Sequence, residues 1–97
     1  MPDVNMIVLD EGDNVGIAIR DIATYEEARD AKGRCLTARE AIPQGHKIAL
    51  QTINEGADIR RFAFSVGIAT APVGKGHLVH VHNVASRYLT NDEDHYE

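Results

Sequence analysis

The chain has little of what most specialised small proteins are built on. It has one cysteine, Cys35, so no internal disulfide can staple it, and a reducing compartment is the expectation. It has no tryptophan, two phenylalanines and three tyrosines. That is too few aromatics for a platform on which single-stranded nucleic acid stacks. Positive charge is also short: the formal net charge is −5, and only Arg60 and Arg61 are adjacent basic residues. A nucleic-acid partner calls for the opposite sign. No apolar run approaches the ~20 residues of a membrane helix, and Met1–Asp10 lacks the basic start and apolar core of a signal peptide. The expectation is one cytoplasmic domain with neither a membrane nor a nucleic-acid partner. At 97 residues its stability margin is thin, and docking on a larger chain or homo-oligomerisation would relieve it.

What is present is a series of short stretches rich in Val, Ile and Thr, punctuated by glycine, the signature of strands and turns. Strands are predicted at Met6–Leu9, Val15–Arg20, Cys35–Ala38, Lys47–Thr52, Ile59–Phe64, Gly67–Ala71 and His77–Val84. One pattern recurs three times, with an aliphatic residue three positions either side of a glycine: Ile42–Gly45–Ile48, Ile53–Gly56–Ile59 and Val73–Gly76–Val79. Glycine supplies the positive φ that tight turns require, and Pro43 presets the first turn. The three copies are unevenly spaced, so they do not form a solenoid repeat. Thr24–Lys32 is the one helix candidate, with Thr24 as N-cap, Glu26 and Glu27 at the positive end, and Lys32–Gly33 at the other. Residues 1–85 are expected to form the domain. Residues 86–97 read as an acidic, flexible tail.

Histidines carry the chemistry that can be read. His80 and His82 are two apart, so on a strand their side chains share one face and start about 7 Å apart. That spacing suits a shared metal (Fe, Mn or Zn) or a shared anion, although two histidines are only half a metal site. The alternative is a pair of half-exposed strand residues bonded to backbone. His46 follows a turn glycine and is a candidate ligand, a candidate acid/base group or a rim residue. Lys47 is either a solvated charge or a contact for a carboxylate or phosphate. Cys35 reads as a small buried hydrophobe. His77 and His95 sit in no patterned context.

Four blocks, in order from about residue 13 to residue 84, resemble one known family. Asp13-Asn14-Val15-Gly16-Ile17-Ala18 resembles the D-N-V-A-V-A opening of the altronate/galactarate dehydratase amino-terminal domain. Ile42-Pro43-Gln44-Gly45-His46-Lys47-Ile48-Ala49-Leu50 resembles its I-P-x-G-H-K-x-A-L segment. Val66-Gly67-Ile68-Ala69-Thr70 resembles I-G-x-A-T, and Val79-His80-Val81-His82-Asn83-Val84 resembles V-H-V-H-N-V/L. The resemblance implies a mainly β fold of the SAF-type β-clip, with at most one or two short helices. It implies a domain or small subunit of a sugar-acid hydro-lyase that is inactive without a large catalytic partner.

The same resemblance extends to the small subunit of sulfolactate sulfo-lyases, and a non-catalytic module that binds carbohydrate or a protein partner is a further alternative. It also implies a divalent metal (Fe or Mn) on His80 and His82, His46 and Lys47 in catalysis, and Asn83 on the substrate. Two departures stand out: Tyr25 occupies a position where the family's turn has glycine, and Phe62-Ala63 replaces Tyr-Gly.

Overall fold

The recurring turn pattern determines the architecture. The computed structural model describes residues 3–79 and the strand Val84–Ala85. The described elements are all strands: β1 (Met6–Ile7), β2 (Val15–Ala18), β3 (Glu27–Arg29), β4 (Cys35–Thr37), β5 (Lys47–Ala49), β6 (Asp58–Arg61), β7 (Phe64–Ala69), β8 (Leu78–Val79) and β9 (Val84–Ala85). They form three antiparallel sheets, ordered β1-β2-β5-β8, β3-β4 and β6-β7-β9. The fold is mainly β, as the SAF-type β-clip reading expects. Among the described residues no helix is long and apolar enough to cross a membrane. Residues 86–97, expected to form a tail, lie outside the described residues.

Among the described residues the turn occurs four times, not three. Gly45, Gly56 and Gly76 have φ of +85°, +86° and +88°, and Tyr25 takes the same place at +69°. In each copy the next residue donates its N–H back across the turn: Glu26 to Ala23, His46 to Pro43, Ala57 to Asn54 and His77 to Gly74 (2.9–3.0 Å). This is the type II geometry, with positive φ at its third position. In each copy the positive-φ residue donates to the carbonyl of a buried alanine, and that alanine's N–H donates back to the following residue. The alanines are Ala38, Ala18, Ala69 and Ala49 for the turns at Tyr25, Gly45, Gly56 and Gly76. The clamps are reciprocal. The Tyr25 and Gly45 turns grip each other's lead-in strands, as do the Gly56 and Gly76 turns. Each pair is closed by one bridge, Ile22 with Ile42 and Ile53 with Val73.

Residues 18–79 therefore form two corresponding halves, Ala18–Ile48 and Ala49–Val79, in which Tyr25 corresponds to Gly56 and Gly45 to Gly76. Each half builds an apolar cluster completed by one residue from the preceding segment: Ile22, Leu36, Ile42 and Ile48 with Met6 in the first, and Ile53, Ile59, Val73 and Val79 with Val15 in the second. Each fully buried aliphatic contributes about 2–3 kcal/mol of transfer free energy. Two buried asparagines repeat the same service. The Asn5 side chain donates to the Glu27 carbonyl (2.9 Å) and accepts the Arg29 N–H (2.7 Å). Asn14 does the same for Asp58 (2.8 Å) and Arg60 (2.7 Å), the equivalent residues of the second half. Among the described residues no buried side-chain polar atom lacks a partner, as a thin core demands.

Three expectations are corrected. Thr24–Lys32 is not a helix. Tyr25 has a φ no right-handed helix accepts, and Ala28 alone is buried within Glu27–Arg29, a two-residue period. Two turns of helix are too few to offset nucleation, whereas pairing with β4 uses the same backbone groups. Glu26 is not at a helix start; it reaches back to the Ala23 N–H (2.9 Å) and pairs with Arg20 (3.0 Å). Those two contacts, the backbone one first, hold its carboxyl below the ordinary carboxylate range. Ile59–Phe64 is not one strand either, because Phe62 and Ala63 turn the chain with φ of 56° and 67°. The ends of His77–Val84 join different sheets, as β8 and β9.

Tyr25 occupies a left-handed position that costs a bulky residue about 1–3 kcal/mol, and its side chain is exposed. Tyr25→Gly is expected to raise stability by about 1 kcal/mol after the extra chain entropy of glycine is subtracted. Urea unfolding of the two proteins measures it, and a destabilised variant would show that the Tyr25 ring contributes packing.

Candidate functional site

The Gly45 turn delivers His46 and Lys47 to the start of β5. The backbone of His46 is held on both sides, its N–H by Pro43 (3.0 Å) and its carbonyl by the Ala18 N–H (2.9 Å). Its ring is exposed, and its nearest hydrogen-bonding neighbour is the Gln44 carbonyl, 3.4 Å from Nδ1. The site's scaffold is thus held firmly while the imidazole is available. Lys47 lies in a cross-sheet row, opposite Ile17 of β2 on one side and Val79 of β8 on the other. Ile7 of β1 pairs with Ile17 and completes the row. Lys47 is half-buried in this row of apolar residues, a setting in which water competes less for an anion.

The two-half plan makes His77 the counterpart of His46, since each follows its turn glycine and each clamps an alanine. The structure separates them by partner. Nδ1 of His77 lies 3.1 Å from Oε2 of Glu40, and the same oxygen accepts the Leu78 N–H (2.8 Å). His77 thus tethers β8 to the segment after β4. His80, His82 and Asn83 lie outside the described residues, as does His95. Among the described residues no three His, Cys, Asp or Glu side chains come together to hold a metal. The metal expectation therefore rests entirely on His80 and His82.

A second polar region draws most of its lining from outside the sequence motifs. A cleft of about 260 Å³ is lined by Glu11, Asp13, Arg34, Cys35, Gln51 and Lys75, together with Leu36 and Leu50. Cys35 is exposed there, not buried. Leu36 takes the inward position of β4, which leaves Cys35 on the opposite face by strand parity. The cleft joins residues from four separate stretches of chain, and no local motif reports that.

Comparison with known proteins places this geometry. The profile of the altronate/galactarate dehydratase SAF domain matches residues 4–87. The altronate dehydratase of Bacillus subtilis (strain 168) is 38% identical over 79 residues, covering 81% of this chain and 16% of that protein. The altronate dehydratase of Escherichia coli (strain K12) is 32% identical over 85 residues, covering 88% and 17%. The (2R)-sulfolactate sulfo-lyase subunit alpha of Chromohalobacter salexigens is 25% identical over 92 residues, covering 87% of this chain and 96% of that subunit. The chain thus spans about a sixth of the length of the two dehydratases. With the family profile covering most of its length, the chain belongs to the altronate/galactarate dehydratase SAF domain family.

Proposed function

We propose that this chain acts with a large catalytic partner as the small component of a lyase that eliminates water from a hydroxylated sugar acid. The observation that carries the reading is the β5–β8 register. Lys47 lies opposite Val79, so the Gly45-His46-Lys47 and Val79-His80-Val81-His82-Asn83 blocks begin from neighbouring strands. The two blocks, distant in sequence, are thus joined through the Lys47–Val79 pair.

The chemistry such residues supply is specific. The proton α to a carboxylate must be removed by a base, and the hydroxyl on the adjacent carbon must leave as water, which needs a proton. The Lys47 ammonium pairs with the substrate carboxylate and favours the negative charge that develops on it. His46, fixed in backbone and open at its ring, donates or accepts a proton. A divalent metal on His80 and His82 would polarise the carboxylate and the leaving hydroxyl as a Lewis acid. Asn83 would position the substrate.

A second reading exchanges sulfite for water as the leaving group. It is favoured by the similarity to the sulfo-lyase subunit, 25% identical over 92 residues.

The test co-purifies the chain with a large dehydratase-type chain. Aldaric acids, aldonic acids and sulfolactate are screened with added Fe(II) or Mn(II). His46→Ala is expected to lower kcat/KM about 100-fold, the lower end of what general acid–base residues contribute, with the urea midpoint unchanged because the ring is exposed. Full activity in both His46→Ala and the His80→Ala/His82→Ala double variant would remove the site assignment.

A further inference from the structure

Both phenylalanines of the chain are on its surface, and they touch. Phe62 is 58% exposed and Phe64 is 65% exposed, in a chain with only five aromatic residues. Their ring centroids are 6.4 Å apart in an edge-to-face arrangement. They sit at the tip of the β6–β7 hairpin, whose two central residues, Phe62 and Ala63, both have positive φ. That turn favours Asn-Gly and penalises the residues present. The buried carboxylate of Asp13 holds it in place, accepting the N–H of Phe62 (2.7 Å) and of Ala63 (2.8 Å).

The duplicated half shows what this hairpin could have been. There the β3–β4 loop is built around Asp30, which accepts the N–H of Lys32 and of Arg34 (3.1 and 2.8 Å), with Gly33 at φ +94° and no aromatic residue. The same frame thus has an unstrained solution in the first half, yet the β6–β7 tip keeps two exposed rings on a strained turn. Arg60 and Arg61 flank it, and among the described residues neither makes an ion pair. Aromatic rings beside arginine are the composition of interface hot spots.

We propose that the β6–β7 tip is the knob by which this domain docks on the large lyase chain. Phe62 and Phe64 enter an apolar socket, and Arg60 and Arg61 meet carboxylates on its rim. The proposal rests on the reading above that such a chain is the partner. Two observations favour that occupant over a second copy. A two-fold contact centred on the tip would gather both copies of the adjacent cations Arg60 and Arg61 into one small interface. The two altronate dehydratases extend far beyond the matched sixth, so the domain has a large body to lie against.

The test measures affinity of the full chain for a large dehydratase-type chain with which it co-purifies, by calorimetry. Phe62→Ser/Phe64→Ser is expected to weaken binding about 100-fold, and Ile19→Ser, at an apolar residue 47% exposed elsewhere, to leave it unchanged. Arg60→Glu/Arg61→Glu, which leaves both rings in place, is expected to weaken binding and to reverse its salt dependence. Unchanged affinity in both double variants overturns the docking assignment while leaving the partner reading intact. A wild-type chain that does not bind the large chain overturns both. If the phenylalanine substitutions instead abolish a self-dimer, or expose residues 86–97 to proteolysis without weakening the complex, the knob serves another occupant and the proposal falls.

Discussion

Replacing Gly76 with alanine is expected to destabilise the protein by about 3 kcal/mol or more, whereas Gly45→Ala and Gly56→Ala lose about 1 kcal/mol each. The three glycines occupy the same turn at nearly the same φ, so the conformational cost of a Cβ is common to all. They differ in what the added methyl meets. At Gly45 and Gly56 nothing lies within 4 Å. At Gly76 the new carbon would stand 2.4 Å from the Thr37 carbonyl oxygen and 2.9 Å from Cγ of Arg39. The arginine stem can move. The Thr37 oxygen cannot move freely, because Thr37 is paired with Glu27 in the β3–β4 ladder. Any retreat of Gly76 also disturbs two backbone bonds of 2.8 Å, to the Ala49 carbonyl and from the Arg39 N–H. The second of these joins the two halves, so the substitution strikes a seam. Against a total stability of order 5–15 kcal/mol such a loss is large. Urea denaturation of the three variants checks it. If Gly76→Ala costs no more than Gly45→Ala, the close approach is not rigid and the halves are less tightly joined than their geometry indicates.

That seam also marks where the sequence stops being legible. Three turns can be read because glycine announces positive φ. The fourth cannot, since Tyr25 occupies the glycine place and Glu26, Glu27 and Lys32 supply a competing helix signal. Without that copy the uneven spacing of Gly45, Gly56 and Gly76 hides a duplication that equates Tyr25 with Gly56 and Gly45 with Gly76. The turn at Phe62-Ala63 is hidden for the same reason: neither residue signals left-handed backbone, so two strands read as one. The buried partners that hold the strands and the strained turn, Asn5, Asp13 and Asn14, act over more than twenty residues of separation. No local pattern encodes such reach, although Asp13 and Asn14 open the first block of the family resemblance. His46 and Lys47 are legible by type and by block, and the structure adds the row that sets Lys47 between Ile17 and Val79. The cleft at Arg34 and Lys75 takes only Asp13 and Leu50 from the motif blocks, and topology assembles the rest.

Asp13 gives the second large expected effect, and it tests whether strain at the hairpin tip is held from outside the hairpin. Its carboxylate accepts three backbone N–H groups, those of Asp10 (3.1 Å), Phe62 (2.7 Å) and Ala63 (2.8 Å). Bonds to an ionised acceptor contribute about 1.5–3 kcal/mol each when part-buried, and donors left without a partner add their own desolvation cost. Asp13→Ala is therefore expected to lose about 3–4 kcal/mol, more than removal of a surface ion pair such as Arg20 with Glu26. The magnitude alone does not separate a generic buried carboxylate from one that restrains a strained turn. Coupling does. If Asp13 stabilises the left-handed pair Phe62-Ala63, then Ala63→Gly, which relieves one of the two strained positions, lowers the cost of losing the carboxylate. The double variant should recover about 1 kcal/mol beyond additivity. Ala63→Gly alone should stabilise by a similar amount in the presence of Asp13. Strict additivity across the cycle, measured by urea unfolding, would mean that the turn holds its shape without the carboxylate. Asp13 would then serve the β1–β2 loop through Asp10, and the exposed pair of rings would owe its orientation to β6 and β7 alone.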